Sequence, residues 1–168
     1  MSEEIINKIA KSNLITLDLK EFRVSGDRIE LDINKWLYNK LILKEKDFRA
    51  HLKAHDWSTY KNKLVALFCS SETIIPAWAY MLVTTHLQSH AKHVSYGNIE
   101  EMEKELFQKK INLIELEKYI GKKVLIKGCT DVYIPEAAYV IISNKLIPVV
   151  QSLMFGEACS SVPVFKKS

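Results

Sequence analysis

Two stretches of this chain repeat one another, and that repetition constrains its architecture more than any other feature. Lys63–Gly97 aligned with Lys123–Gly156, one residue being deleted in the loop, gives eight identities in 34 positions. The pairs are Lys63/Lys123, Cys69/Cys129, Ile75/Ile134, Pro76/Pro135, Ala79/Ala138, Tyr80/Tyr139, Leu87/Leu146 and Gly97/Gly156. Ordinary composition would give roughly two. Each stretch opens on a continuous apolar run, Leu64–Phe68 or Val124–Ile126, the pattern of a strand buried on both faces of a parallel sheet. A Cys-Ser or Cys-Thr loop follows, then an Ile-Pro-x-x-Ala-Tyr helix, a second strand and a glycine. Proline suits the first helical turn, where its missing N–H has no partner, and glycine suits a strand exit. Those two habits leave the Cys, Ala and Tyr matches unexplained. The pattern predicts two related β–α–β units, over 63–97 and 123–156.

The remainder fits around them. Residues 1–60 read as an N-terminal helix (Ile5, Ile6, Ile9 and Ala10 on one face), a short strand at Leu14–Leu17, a β-hairpin and a helix. The hairpin rests on Phe22 and Val24, a Ser25-Gly26-Asp27 turn, then Ile29, Leu31 and Ile33 alternating with polar residues. The helix is Lys44–His55, with Phe48 and Leu52 four apart. Between the repeats come a charged amphipathic helix at Glu100–Ile111 and a shorter one at Leu113–Ile120, closed by Gly121. Beyond Gly156 the chain reads as loop ending in an extended segment. The expected fold class is therefore α/β, a single domain over 1–168. A mainly parallel sheet with flanking helices contains the two β–α–β units, and an N-terminal helix and β-hairpin are added to it. At 168 residues such a chain buries a core without staples.

Charge narrows the partners. Twenty-four basic and 20 acidic residues are mixed along the chain, leaving a net +4 with only Lys166-Lys167 standing apart. That is a solvated surface, so no nucleic-acid partner is expected. No apolar stretch approaches the length of a spanning helix, and the N-terminus has neither the basic nor the apolar region of a secretory signal. Three cysteines without framework spacing read as free thiols in a reducing compartment. The expectation is a cytoplasmic protein with no membrane partner.

If both units share one parallel sheet, their strand-to-helix loops emerge on one edge, the carboxyl edge where α/β proteins bind ligands. Cys69, Cys129 and Cys159 would then converge, with Asp131, Glu157 or Glu72 supplying oxygen. Such a set suits zinc or iron, or a single reactive thiolate, with Cys129 as nucleophile if chemistry occurs. Against this, free cysteine is often a buried apolar filler. The loops Ser70-Ser71-Glu72-Thr73 and Gly128-Cys129-Thr130-Asp131 lead into helices and could receive an anion, with Lys127 adding charge. Ser70, Ser71, Lys127 and Thr130 are the candidate ligand contacts, although hydroxyls there also serve as plain helix caps. His51 and His55 stand four apart, and His86, His90 and His93 cluster; neither set carries a zinc-protease glutamate. Tyr80, Tyr139 and Trp78 read as packing. The leading reading is a small-molecule or metal-binding protein with a cysteine-centred site; the alternative is a homo-oligomeric scaffold with buried structural cysteines. No motif fixes a reaction.

Several segments also resemble a known family. They are Ser12–Leu19, Glu45-Lys46-Asp47-Phe48-Arg49, His55-Asp56-Trp57, Ala77-Trp78-Ala79-Tyr80-Met81, Lys127–Asp131 and Gly156–Pro163. Together they resemble a Bacteroidetes family catalogued as a domain of unknown function, 2480. The resemblance spans nearly the whole chain. It implies a bacterial single-domain protein, brings no activity or cofactor, and associates the Lys-Gly-Cys and Gly-Glu-x-Cys-Ser segments with the family's site.

Overall fold

A computed structural model describes residues 13–128 and 131–168. The helix expected around Ile5, Ile6, Ile9 and Ala10 lies outside the described residues. In chain order the elements are β1 (Leu14–Asp18), β2 (Arg28–Asp32), α1 (Glu45–Ala54), β3 (Leu64–Phe68), α2 (Ala77–Leu87), β4 (His93–Tyr96), α3 (Ile99–Asn112), β5 (Lys123–Lys127), α4 (Glu136–Leu146), β6 (Ser152–Glu157) and β7 (Ser160–Lys166). The architecture is mixed α/β. The strands form two sheets, β2-β3-β4 and β1-β5-β6-β7, parallel throughout except for the antiparallel β6-β7 hairpin. The chain divides accordingly into two compact units, Val24–Glu105 and the residues up to Arg23 together with Leu106–Ser168.

Each unit is built on one strand sealed on both faces. In β3, Leu64, Val65 and Ala66 are fully buried, and in β5 so is Val124. The first core joins Leu31, Val65 and Leu67 to Ala79, Val83 and Leu87 of α2, with Phe48 and Leu52 of α1. The second joins Leu17, Val124, Ile126 and Leu153 to Ala138, Ile142 and Leu146 of α4, with Phe107 and Ile111. Burying each such side chain stabilises the fold by about 1.5–3 kcal/mol.

The two β–α–β units correspond without any gap. Leu64 pairs with His93 as Lys123 pairs with Ser152, a constant offset of 59 residues. Loop hydrogen bonds obey the same offset: Asn62 N–H donates to His90 O (2.9 Å) as Gly121 N–H does to Val149 O (2.8 Å). The correspondence extends to the strands before them, since β2 lies on β3 as β1 lies on β5. Asp18 and Asp32 end those strands, and each carboxylate accepts the N–H two residues on, at 2.9 Å, to cap a 3-10 turn (Leu19–Phe22 and Ile33–Trp36).

Three expectations are corrected. The N-terminal β-hairpin does not form: Phe22 lies in a 3-10 turn, and β2 pairs in parallel with β3. Alternation beside a glycine turn sets which face of β2 is buried, not which strand it meets. The single sheet is replaced by two. The strand register also differs from the sequence alignment, because the constant offset of 59 sets Lys63 opposite Lys122 and Cys69 opposite Gly128. In addition, the helix expected at Leu113–Ile120 is a 3-10 turn at Leu116–Tyr119, and the final extended segment is a full strand, β7.

His55 sits against Trp36 and Trp57, its Nε2 3.2 Å from the Tyr60 hydroxyl. Burial pulls its imidazole below the usual value of 6.5, Lys35 adds to this, and Asp56 opposes it. The fold therefore favours neutral His55, and that stability is complete above about pH 6.5 and lost as pH falls further. Denaturant midpoints followed by tryptophan fluorescence should drop between pH 7.5 and 5, and less so in His55→Gln. An equal drop in both proteins would assign the dependence elsewhere.

Candidate functional site

The carboxyl edges of the two sheets differ in chemistry. In the Val24–Glu105 unit, Asp32 at the end of β2 meets the loop after β3. Its carboxylate accepts the Ser70 N–H (3.0 Å) and hydroxyl (2.6 Å), and Asn34 Nδ2 donates to the same hydroxyl (3.1 Å). Burial opposes ionisation of Asp32, but these donors and Lys35 outweigh it and hold the carboxyl below its ordinary value. Ser71 and Thr73 donate their hydroxyls to the carbonyls of Lys40 (3.0 Å) and Leu41 (2.5 Å). The hydroxyls that suggested an anion site are thus engaged within the protein, one of them on a carboxylate.

Cys69 and Tyr80 lie at the same edge. Burial pushes the Cys69 thiol up, Asp32 adds to this, and the Ser71 N–H opposes it. Burial, the neighbouring Tyr96 and Cys69 push the Tyr80 phenol up to about 12. Both groups stay protonated near neutral pH, so neither is a ready nucleophile.

The other unit replaces this polar edge with a cavity. Ile126 of β5, Tyr139 and Ser143 of α4, Leu153, Met154 and Phe155 of β6 and Val164 of β7 line an open hollow of about 320 Å³, the lower range of small-ligand pockets. A bulge shapes it: Leu153 pairs with Phe165 and Met154 with Pro163, so Val164 is the extra residue that the hairpin turns into the lining. The Tyr139 and Phe155 rings meet edge to face, 5.6 Å apart at 83°. Gly128 closes the corner, since a Cβ there would stand 3.2 Å from the Phe155 ring and 3.3 Å from the Tyr139 hydroxyl. Beyond it, Lys127 Nζ lies 3.4 Å from Glu157 Oε1, and Cys159 is exposed in the turn between β6 and β7.

The expected site residues are therefore only partly assembled. Lys127 and Glu157 come together, and Cys159 follows Glu157 on the same hairpin. Cys69, Ser70 and Ser71 belong to the β2-β3-β4 sheet, and Cys159 to the hairpin of the β1-β5-β6-β7 sheet. Cys129 and Thr130 lie outside the described residues, and Asp131 is exposed. Among the described residues no group of three or more His, Cys, Asp or Glu side chains is placed to hold a metal ion. The same residues include no helix long and apolar enough to cross a membrane.

The model of a family described as "Protein of unknown function (DUF2480)" matches residues 3–167. The chain belongs to this family. No curated protein and no solved structure matches it. The family's span thus includes both units and both edges.

Sequence reasoning missed Asp32, Asn34 and the cavity. A signal for Asp32 exists: Leu17-Asp18-Leu19 and Leu31-Asp32-Ile33 are equivalent segments that carry the repeat back to the first strands. The cavity left no such trace, because it depends on a bulge.

The two described thiols should separate in labelling. Exposed Cys159 is expected to react with a maleimide fast at pH 7, and half-buried Cys69 at least about tenfold more slowly until the protein unfolds. Equal rates in single-cysteine variants would contradict this placement of Cys69.

Proposed function

We propose that the protein binds a small molecule at the carboxyl edge of the β1-β5-β6-β7 sheet. The cavity between α4 and the β6-β7 hairpin receives its apolar part. The rim is formed by Lys127, Glu157 and the thiol of Cys159. The observation that carries this reading is the cavity itself. An open apolar hollow of about 320 Å³, lined by two aromatic rings and a bulged valine, has the size and lining of a small-ligand pocket. Ile126 and Phe155 lie toward the carboxyl ends of their strands, the edge at which parallel α/β sheets bind ligands, and the hollow continues from there along the face under α4. Cys69, Ser70 and Ser71 drop out because their polar groups serve the other unit.

Thermal melting of tag-free protein against a panel of small aliphatic and aromatic alcohols and acids tests the reading. A compound that binds only the folded state at about 100 times its Kd stabilises by about 2.7 kcal/mol. At least one member should raise the melting temperature, protect Cys159 from alkylation, and lose its effect in Val164→Trp, which fills the cavity. A panel with no effect on the native protein would count against the site. Near-stoichiometric zinc or iron in tag-free protein, absent from Cys129→Ser, would instead make this edge a metal centre.

A further inference from the structure

The lining of the cavity also says what shape of molecule it takes, an inference that rests on the small-molecule reading above. We propose that the part of the ligand held in the cavity is a planar aromatic ring, and that Phe155 and Val164 determine that preference.

The argument starts from the corner made by Tyr139 and Phe155. Their rings stand at 83° with centroids 5.6 Å apart, so a ring lying parallel to one of them presents its edge to the other. Those are the two approaches that another aromatic ring favours, because ring faces are electron-rich and edges electron-poor. Ile126 and Leu153 are buried aliphatic floor residues. Ser143 of α4 completes a lining that is otherwise almost wholly apolar. A flexible alkyl chain of equal volume would lose rotational freedom on entering so short a cavity, whereas a ring has none to lose.

Val164 sets the width. Because it is the bulged residue of β7, its position follows from the hairpin's irregular register, not from the regular ladder. It is more than half exposed, so it can be enlarged without disturbing the core.

Binding of benzyl alcohol and of its saturated counterpart, cyclohexylmethanol, to the full chain, measured by ligand-observed NMR titration, tests this directly. Apolar area alone favours the saturated compound. The proposal expects benzyl alcohol to bind about three- to tenfold more tightly. It expects that margin to vanish in Phe155→Leu while cyclohexylmethanol still binds. Val164→Phe, which leaves the core untouched, should exclude both and so guards against misfolding of the first variant. Equal binding, or tighter binding of cyclohexylmethanol, would overturn the aromatic assignment and leave the small-molecule site standing. Binding of neither to the native protein, with no response across the melting panel, would overturn both.

Discussion

A strand sealed from water on both faces must satisfy its backbone N–H and C=O groups within the sheet. β3 and β5 meet that condition, and much else follows from it. Each needs a hydrogen-bonded neighbour on either side, and parallel neighbours come from distant parts of the chain. β3 therefore takes β2 and β4, while β5 takes β1 and β6. Parallel pairing also requires a crossover between consecutive strands, which α2 and α4 supply. Their Ala79 and Ala138 are fully buried in the two cores, where a larger side chain would hold the helix away from its sheet. The repeated alanine, proline and leucine are thus marks of one packing solution used twice.

The parts of this scheme legible in the sequence were those governed by local pattern. The apolar run Leu64–Phe68 coincides with β3, and the Ile-Pro-x-x-Ala-Tyr segments lead into α2 and α4 as expected. Partner choice was not legible. Ile29 and Leu31 alternate correctly for β2, but alternation is the same whether the neighbour is an adjacent hairpin arm or β3, more than thirty residues on. Register was hidden for a similar reason. An alignment that matches Cys69 to Cys129 needs a one-residue gap, whereas the loop hydrogen bonds set Lys63 against Lys122. Cysteine identity outweighed spacing in the sequence, whereas in the sheet spacing decides.

Equivalent positions then show how one scaffold came to have two unlike edges. Tyr80 and Tyr96 pack at 5.2 Å and 90°, as Tyr139 and Phe155 do at 5.6 Å and 83°. Cys69 stands where the other unit has Gly128, and Tyr96 where it has Phe155. After the matching glycines, Gly97 and Gly156, both at positive φ, the chain diverges. Asn98 and Glu101 exchange hydrogen bonds at 2.9 Å, a capping box that starts α3. Past Gly156 the chain instead reverses through Ala158 and Cys159 into β7. The shared glycine permits either exit, and the residues after it choose.

That choice accounts for where a ligand has room. In the Val24–Glu105 unit the groups at the edge are turned on one another: Ser70 on Asp32, Ser71 on Lys40, Thr73 on Leu41. An incoming ligand would have to displace good hydrogen bonds, and an anion would also face the Asp32 carboxylate. The other unit returns a strand where its counterpart starts a helix, and the bulge in that strand keeps Val164 from closing against α4. Apolar walls left apart lose dispersion contacts and gain nothing from water, so the open space carries a cost that an apolar ligand relieves. The unit whose hairpin leaves an apolar hollow open beside its helix is, on these grounds, the better host.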